Sequence, residues 1–136
     1  MKRLSLLCVL LSLTSWSCGD DGPGGSADHP NVGCDDVEAA NCTLIASGDS
    51  AGLIDAVNLL TDDTAIILGT GTYTFDNQVT IRNADDVTLI GQGMGTTTLD
   101  FGAVTTQVNG VDAVGDRFHI EGLTILDARK DGLRIE

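Results

Sequence analysis

The chain has 136 residues, 17 of them Gly and only 2 Pro, with 20 acidic against 7 basic side chains and a formal charge of −13. That length holds one domain at most, and an apolar share of 42% is too high for a wholly disordered acidic chain. The charge repels phosphate backbones, so nucleic acid is excluded as a partner and metal cations or basic surfaces fit better. Aromatic residues make up only 4% of the chain, so the core must be built from Val, Ile, Leu and Ala.

Residues 1–17 read as a secretory signal peptide. Met1-Lys2-Arg3 is a short basic start, and Leu4 to Leu13 is almost wholly apolar. The run is too short to span a hydrocarbon core of ~30 Å as a helix. Ser15-Trp16-Ser17-Cys18 resembles a bacterial lipobox, with a small residue just before the cysteine that would carry the lipid. Ser15 stands where that pattern prefers Leu, and Ser15-x-Ser17 also suits ordinary signal peptidase. Parity favours the lipid. With Cys18 acylated, Cys34 and Cys42 form an even pair for a disulfide in an oxidising compartment. The exported chain then keeps 5 basic residues against 20 acids, a charge of −15, so a covalent anchor rather than charge would bring it to a membrane. The expected address is the cell envelope, on a bacterial membrane facing the periplasm or the cell surface.

Residues 18–43 are expected to hold the anchor, a flexible acidic Gly-rich tether and the Cys34/Cys42 staple. Residues 44–64 form an N-terminal cap. Leu44-Ile45-Ala46 reads as a short strand, and Asp49 or Ser50 caps a helix whose Leu53, Ile54, Val57 and Leu60 share one apolar stripe.

From Ala65 to Glu136 the pattern changes to apolar–polar–apolar triplets. They are Tyr73-Thr74-Phe75, Val79-Thr80-Ile81, Val87-Thr88-Leu89, Leu99-Asp100-Phe101, Val111-Asp112-Ala113, Phe118-His119-Ile120, Leu123-Thr124-Ile125 and Leu133-Arg134-Ile135. Period-two alternation predicts short strands with one face inward, and the glycines between them supply corners. Taken in threes, the triplets recur at distances that settle in the low twenties, the length of one three-sided coil. The larger early distances place longer loops at Gly91–Thr97 and Gly102–Gly110. A β-sandwich would need hairpin dipeptides, and Asn109-Gly110 is the one Asn-Gly in the chain.

Leu68-Gly-Thr-Gly-Thr-Tyr73-Thr-Phe75, Val87-Thr-Leu-Ile-Gly-Gln-Gly93, Ile120-Glu-Gly-Leu-Thr-Ile125 and Lys130-Asp-Gly-Leu-Arg-Ile135 resemble right-handed parallel β-helix repeat proteins of the pectin-lyase-like superfamily. The resemblance covers residues 44 to 136. It implies an all-β solenoid of about three coils with a capping α-helix, and it specifies fold rather than activity. Members usually run on for further coils to a C-terminal cap, so the chain is expected to be an incomplete stack.

Site signals are sparse. Asp85-Asp86, Asp112 with Asp116, and Asp127 with Asp131 are carboxylates that could hold Ca²⁺, although Asp is also favoured in turns for its bonds to nearby backbone. His119 and Arg134 are outward residues that could face a ligand, with Arg129 and Lys130 in the corner before Arg134. Gly91-x-Gly93-x-Gly95 opens no helix and is not a dinucleotide site. No catalytic residue is assigned. Two functions remain: a non-catalytic, lipid-anchored module that binds a polysaccharide or another cell-surface protein, and the first part of a polysaccharide lyase, epimerase or hydrolase whose catalytic coils follow residue 136.

Overall fold

In the computed structural model, which describes residues 31–136, ten short strands and one helix build a solenoid. The expected signal peptide at 1–17, Cys18 and the expected tether at 19–28 lie outside the described residues. The strands are β1 (Asn41–Ile45), β2 (Thr64–Leu68), β3 (Gly71–Thr74), β4 (Val79–Ile81), β5 (Val87–Ile90), β6 (Thr97–Asp100), β7 (Val111–Ala113), β8 (His119–Glu121), β9 (Thr124–Leu126) and β10 (Leu133–Ile135), with α1 at Ser50–Asn58. They form three parallel sheets: sheet A in the order β1-β2-β5-β8, sheet B β3-β6-β9 and sheet C β4-β7-β10. Each turn of the chain adds one strand to each sheet. This is a parallel β-helix of about four turns, the fold expected from the triplets.

The register makes the core a set of stacked rows. Ile66, Leu89 and Ile120 align on sheet A, Tyr73, Leu99 and Ile125 on sheet B, and Val79, Val111 and Leu133 on sheet C. Phe75 and Phe101 stack one coil apart with ring centroids at 5.1 Å, a favourable aromatic geometry. The side chains of Ile81 and Leu89 are buried, and the outward Thr80 and Thr88 beside them are half-exposed. The triplet at Leu99 sits two residues away from its expected partner: Leu99 lies beside Ile125 rather than Leu123. A slip of two keeps every side chain on its face, so the inward set is unchanged.

Sheet A begins two strands earlier than the alternation shows, with β1 and β2. All five residues of β2 are buried, so it reads as a continuous apolar run rather than a half-exposed strand. Its outward residues Ala65 and Ile67 lie beside Cys42 and Leu44 of β1. The segment before β1 is tied to that outer side. Cys34 is disulfide-bonded to Cys42, and the Gln92 side-chain amide donates to the carbonyls of Val32 at 3.0 Å and Leu68 at 2.9 Å.

α1 closes the N-terminal end, with Leu53 and Val57 buried over the first coil. Its N-cap is Asp49, whose carboxylate accepts the Gly52 N–H at 2.9 Å. The Ser50 hydroxyl oxygen accepts the Thr74 N–H at 2.8 Å and ties the helix to β3. The Tyr73 hydroxyl reaches up from the core to donate to Ala46 O at 2.9 Å, and burial pushes it above the usual phenol range.

The corner between sheets C and A repeats one device on successive coils. Asp63, Asp86 and Arg117 all take left-handed backbone angles, with φ of 57°, 56° and 57°; Asp63 and Asp86 directly precede β2 and β5, and Arg117 stands two residues before β8. The residue before each is Asp62, Asp85 or Asp116. The Asp62 carboxylate accepts the Asp85 N–H, and the Asp85 carboxylate accepts the Asp116 N–H, both at 2.9 Å. These aspartates stitch coil to coil at a turn where strand pairing stops.

Candidate functional site

Sheet C presents the most chemically varied outer face. Its register places Thr80, Asp112 and Arg134 in one outward row on three successive coils. Asp112 is the centre of the row, its side chain only 13% exposed. The Asn109 amide donates to its Oδ1 at 2.9 Å, and the Arg82 guanidinium stands 4.0 Å from Oδ2. Gln78 donates to the Thr80 hydroxyl at 3.0 Å. At the far end Arg134 pairs with Glu136; that contact raises the Arg134 pKa, with Asp112 and Asp131 adding to the effect. Arg134 therefore keeps its full charge under all working conditions.

Local structure explains these positions. Asn109 precedes Gly110, and a side chain at Gly110 would stand 2.6 Å from the Gly132 carbonyl of the next coil. The glycine lets the backbones approach, which fixes the tight entry into β7 and holds Asn109 against Asp112. Asn109 is buried, and among the described residues its amide oxygen has no hydrogen-bond partner. Its donor end is committed to the carboxylate, which holds Asp112 in place on the sheet face. Beside Thr80 and Arg82, a polar cleft of about 310 Å³ opens between the sheet and the end of α1, lined also by Asn58 and Asn83. Carboxylate, amide, guanidinium and hydroxyl groups thus lie along one rigid sheet face. Such groups can accept and donate hydrogen bonds to a polyhydroxylated ligand at several fixed points.

The sequence-predicted site residues are spread over the solenoid. His119 is on sheet A, in the outward row of Cys42, Ala65 and Thr88, with its Nε2 3.3 Å from a Glu121 carboxylate oxygen. Arg134 is on sheet C, so the two outward candidates do not share a face. Asp112 is on sheet C, Asp116 at the corner before β8, Asp127 just after β9 and Asp131 at the corner before β10. Asp127 takes a left-handed turn conformation, and the Asp131 carbonyl accepts the Gly110 N–H at 2.8 Å. Among the described residues no group of three or more His, Cys, Asp or Glu side chains converges to hold a metal ion. Arg129 donates to the carbonyls of Val104 and Gly102 and braces the long corner between β6 and β7.

Sequence reasoning missed Arg82, Asn109 and the two cleft asparagines. The row itself was readable from the middle residues of the triplets at 79, 111 and 133. Asn109 and Arg82 flank those triplets, and only the corner geometry turns them toward Asp112. Comparison with protein families, with characterised proteins and with solved structures gave no match.

Proposed function

We propose that this is an exported β-helix protein of the pectin-lyase-like kind, anchored to a bacterial membrane through a lipid on Cys18, which binds polysaccharide without cleaving it. The observation that supports this reading is the row of Thr80, Asp112 and Arg134 with Arg82 and Asn109 around Asp112. Its groups are spaced by the strand separation, about 4.8 Å per coil, close to the length of one pyranose unit along an extended sugar chain. The binding surface is a sheet rather than a loop, so it needs little ordering on association. The partner class is a polysaccharide of the cell surface or its surroundings.

Affinity electrophoresis of the exported protein in gels containing polygalacturonate, alginate, dextran or xylan tests this. At least one polysaccharide should retard the protein, and Asp112→Ala should weaken retardation about tenfold, the loss of one or two charge-assisted hydrogen bonds. Equal retardation of wild type and variant would overturn the site. Formation of unsaturated uronate products would favour the lyase reading instead. Labelling with a clickable palmitate analogue, abolished by Cys18→Ala, is the outcome expected for the anchor; equal labelling of the variant would remove it.

A further inference from the structure

The N-terminal end of the stack carries a second surface, away from sheet C. A groove of about 680 Å³ runs between β1 and α1, lined by Thr43, Leu44, Ala56 and Leu59 and edged by Asp49 and Asp55. β1 is the edge strand of sheet A. Asn41 and Ile45 turn their backbone groups toward the neighbouring strand: the Asn41 N–H donates to Asp63 O at 3.1 Å, and Ile45 O accepts the Gly69 N–H at 2.9 Å. Alternation along a parallel strand then turns the N–H and C=O of Cys42 and Leu44 to the groove side. Among the described residues nothing hydrogen-bonds to these four groups. Natural sheets commonly blunt such an edge with Lys, Pro or a bulge. Asn41-Cys-Thr-Leu-Ile45 carries none of these, and it lies beside two exposed leucines, Leu44 at 63% and Leu59 at 81%.

Charge decides what can occupy the groove. Residues 31 to 81 contain 8 acids and not one Lys or Arg, and all the basic residues of the coils follow Ile81. A second copy placed edge to edge would bring one wholly acidic end onto another. A basic strand meets the opposite charge while its backbone completes the sheet. We propose that this groove docks an extended, basic segment of a partner protein, which pairs with β1 as a fifth strand of sheet A. Its apolar side chains lie against Leu44, Ala56 and Leu59. Its Lys or Arg side chains reach Asp49 and Asp55.

The test uses the exported, disulfide-bonded chain and a capped heptapeptide of alternating Lys and Val, with binding followed by calorimetry and backbone amide exchange. The peptide should bind, slow exchange at Cys42 and Leu44, and bind more weakly as salt rises. Leu59→Lys, at a position already exposed, should weaken binding about tenfold, and Asp55→Asn should flatten the salt dependence. A peptide with Pro in place of Val lacks ladder donors and should not bind. The proposal is overturned by failure of the Lys-Val peptide to bind, by equal binding of the Pro peptide, or by an unchanged affinity in both variants. Dimers of the chain that Leu59→Lys disperses would also overturn it, assigning the groove to a second copy.

Discussion

The Asp85 carboxylate accepts the backbone N–H of Asp116, one coil further along the solenoid, at 2.9 Å. The same carboxyl position on the preceding coil, Asp62, serves Asp85. Each aspartate thus caps an amide that strand pairing leaves over at a corner, as an N-cap does for a helix. Asp85→Ala should cost about 1 kcal/mol in denaturant unfolding, the usual value for losing such a cap. Asp85→Asn should recover most of that, because the amide oxygen still accepts. An equal loss in both variants would show that charge, rather than the hydrogen bond, matters here.

The next residue on each coil carries the ion pair. The Arg117 side chain donates to both carboxylate oxygens of Asp86, through Nη2 at 2.7 Å and through Nε. This contact holds the Asp86 carboxyl below the usual carboxylate range. The folded pKa is lower than the unfolded one, so the pair contributes stability above the ordinary carboxylate pKa and loses it as pH falls through the folded value. The pair lies at the solvent-facing surface, which keeps the effect on stability small. Carbon-detected titration should find Asp86 ionised at pH values where an ordinary Asp is protonated. In Arg117→Gln its midpoint should move up to the ordinary range. An unmoved midpoint would disprove the pairing in solution.

Core rows set the larger energies. Leu89 is fully buried between Ile66 and Ile120, so Leu89→Ala should cost roughly 2–5 kcal/mol. Its outward neighbour Thr88→Ala should stay near 0.5 kcal/mol. Ile120 belongs to the same row but is only part-buried, and Ile120→Ala should cost less than Leu89→Ala. Chemical denaturation of the three variants under one condition ranks them. If Thr88→Ala proves as damaging as Leu89→Ala, the inward–outward assignment fails.

Glycine is indispensable where coils touch. A side chain at Gly91 would stand 2.3 Å from the Gly122 carbonyl and 2.9 Å from Leu123 and Thr97. Backbone cannot withdraw by that much without breaking the pairing of β5 with β8. Gly91→Ala should therefore abolish cooperative unfolding. Gly95, in contrast, has nothing within 4 Å but a φ of +81°, so Gly95→Ala should cost only about 1–2 kcal/mol of left-handed strain. Comparable thermal melts for the two variants would contradict the close approach.

The Cys34–Cys42 bond closes a short loop, with a sequence separation of 8. Chain-entropy reasoning assigns such a loop about 2.5 kcal/mol. The double variant Cys34→Ser/Cys42→Ser should lose stability of that order, and the denatured wild-type chain should show neither thiol free before reduction. A loss close to zero would mean that the segment before β1 is held by its other contacts, the Gln92 bonds among them.

Much of the architecture was legible because alternation is a strong signal. Six of the eight triplets fall on strands paired in the expected phase, and the helix cap at Asp49 was readable from residue type. β2 was obscured by its burial on both faces, which erases the alternation. The register of Leu99 depended on how the corner from Gly102 to Gly110 is spent, and corner length leaves no period to read. The site was less legible still. Asp112 was picked out for a cation, yet its neighbours are the Asn109 amide and the Arg82 guanidinium, drawn from residues outside the triplets. Asp85 and Asp116 carry the right residue type for turns, but that the Asp85 carboxylate serves the Asp116 amide is a relationship between coils, invisible along the chain.

The constant spacing of the rows also bears on how the molecule assembles. Thr64 pairs with Val87, Tyr73 with Leu99, Val79 with Val111 and Val111 with Leu133, so each strand meets a partner only one coil away in sequence. Loop-closure entropy changes by only about 0.3 kcal/mol over that range of separations. Every coil thus faces nearly the same search as the one before it, with the preceding coil as its template. Folding can advance along the axis from the end that α1 covers, and each new coil docks before the next one closes.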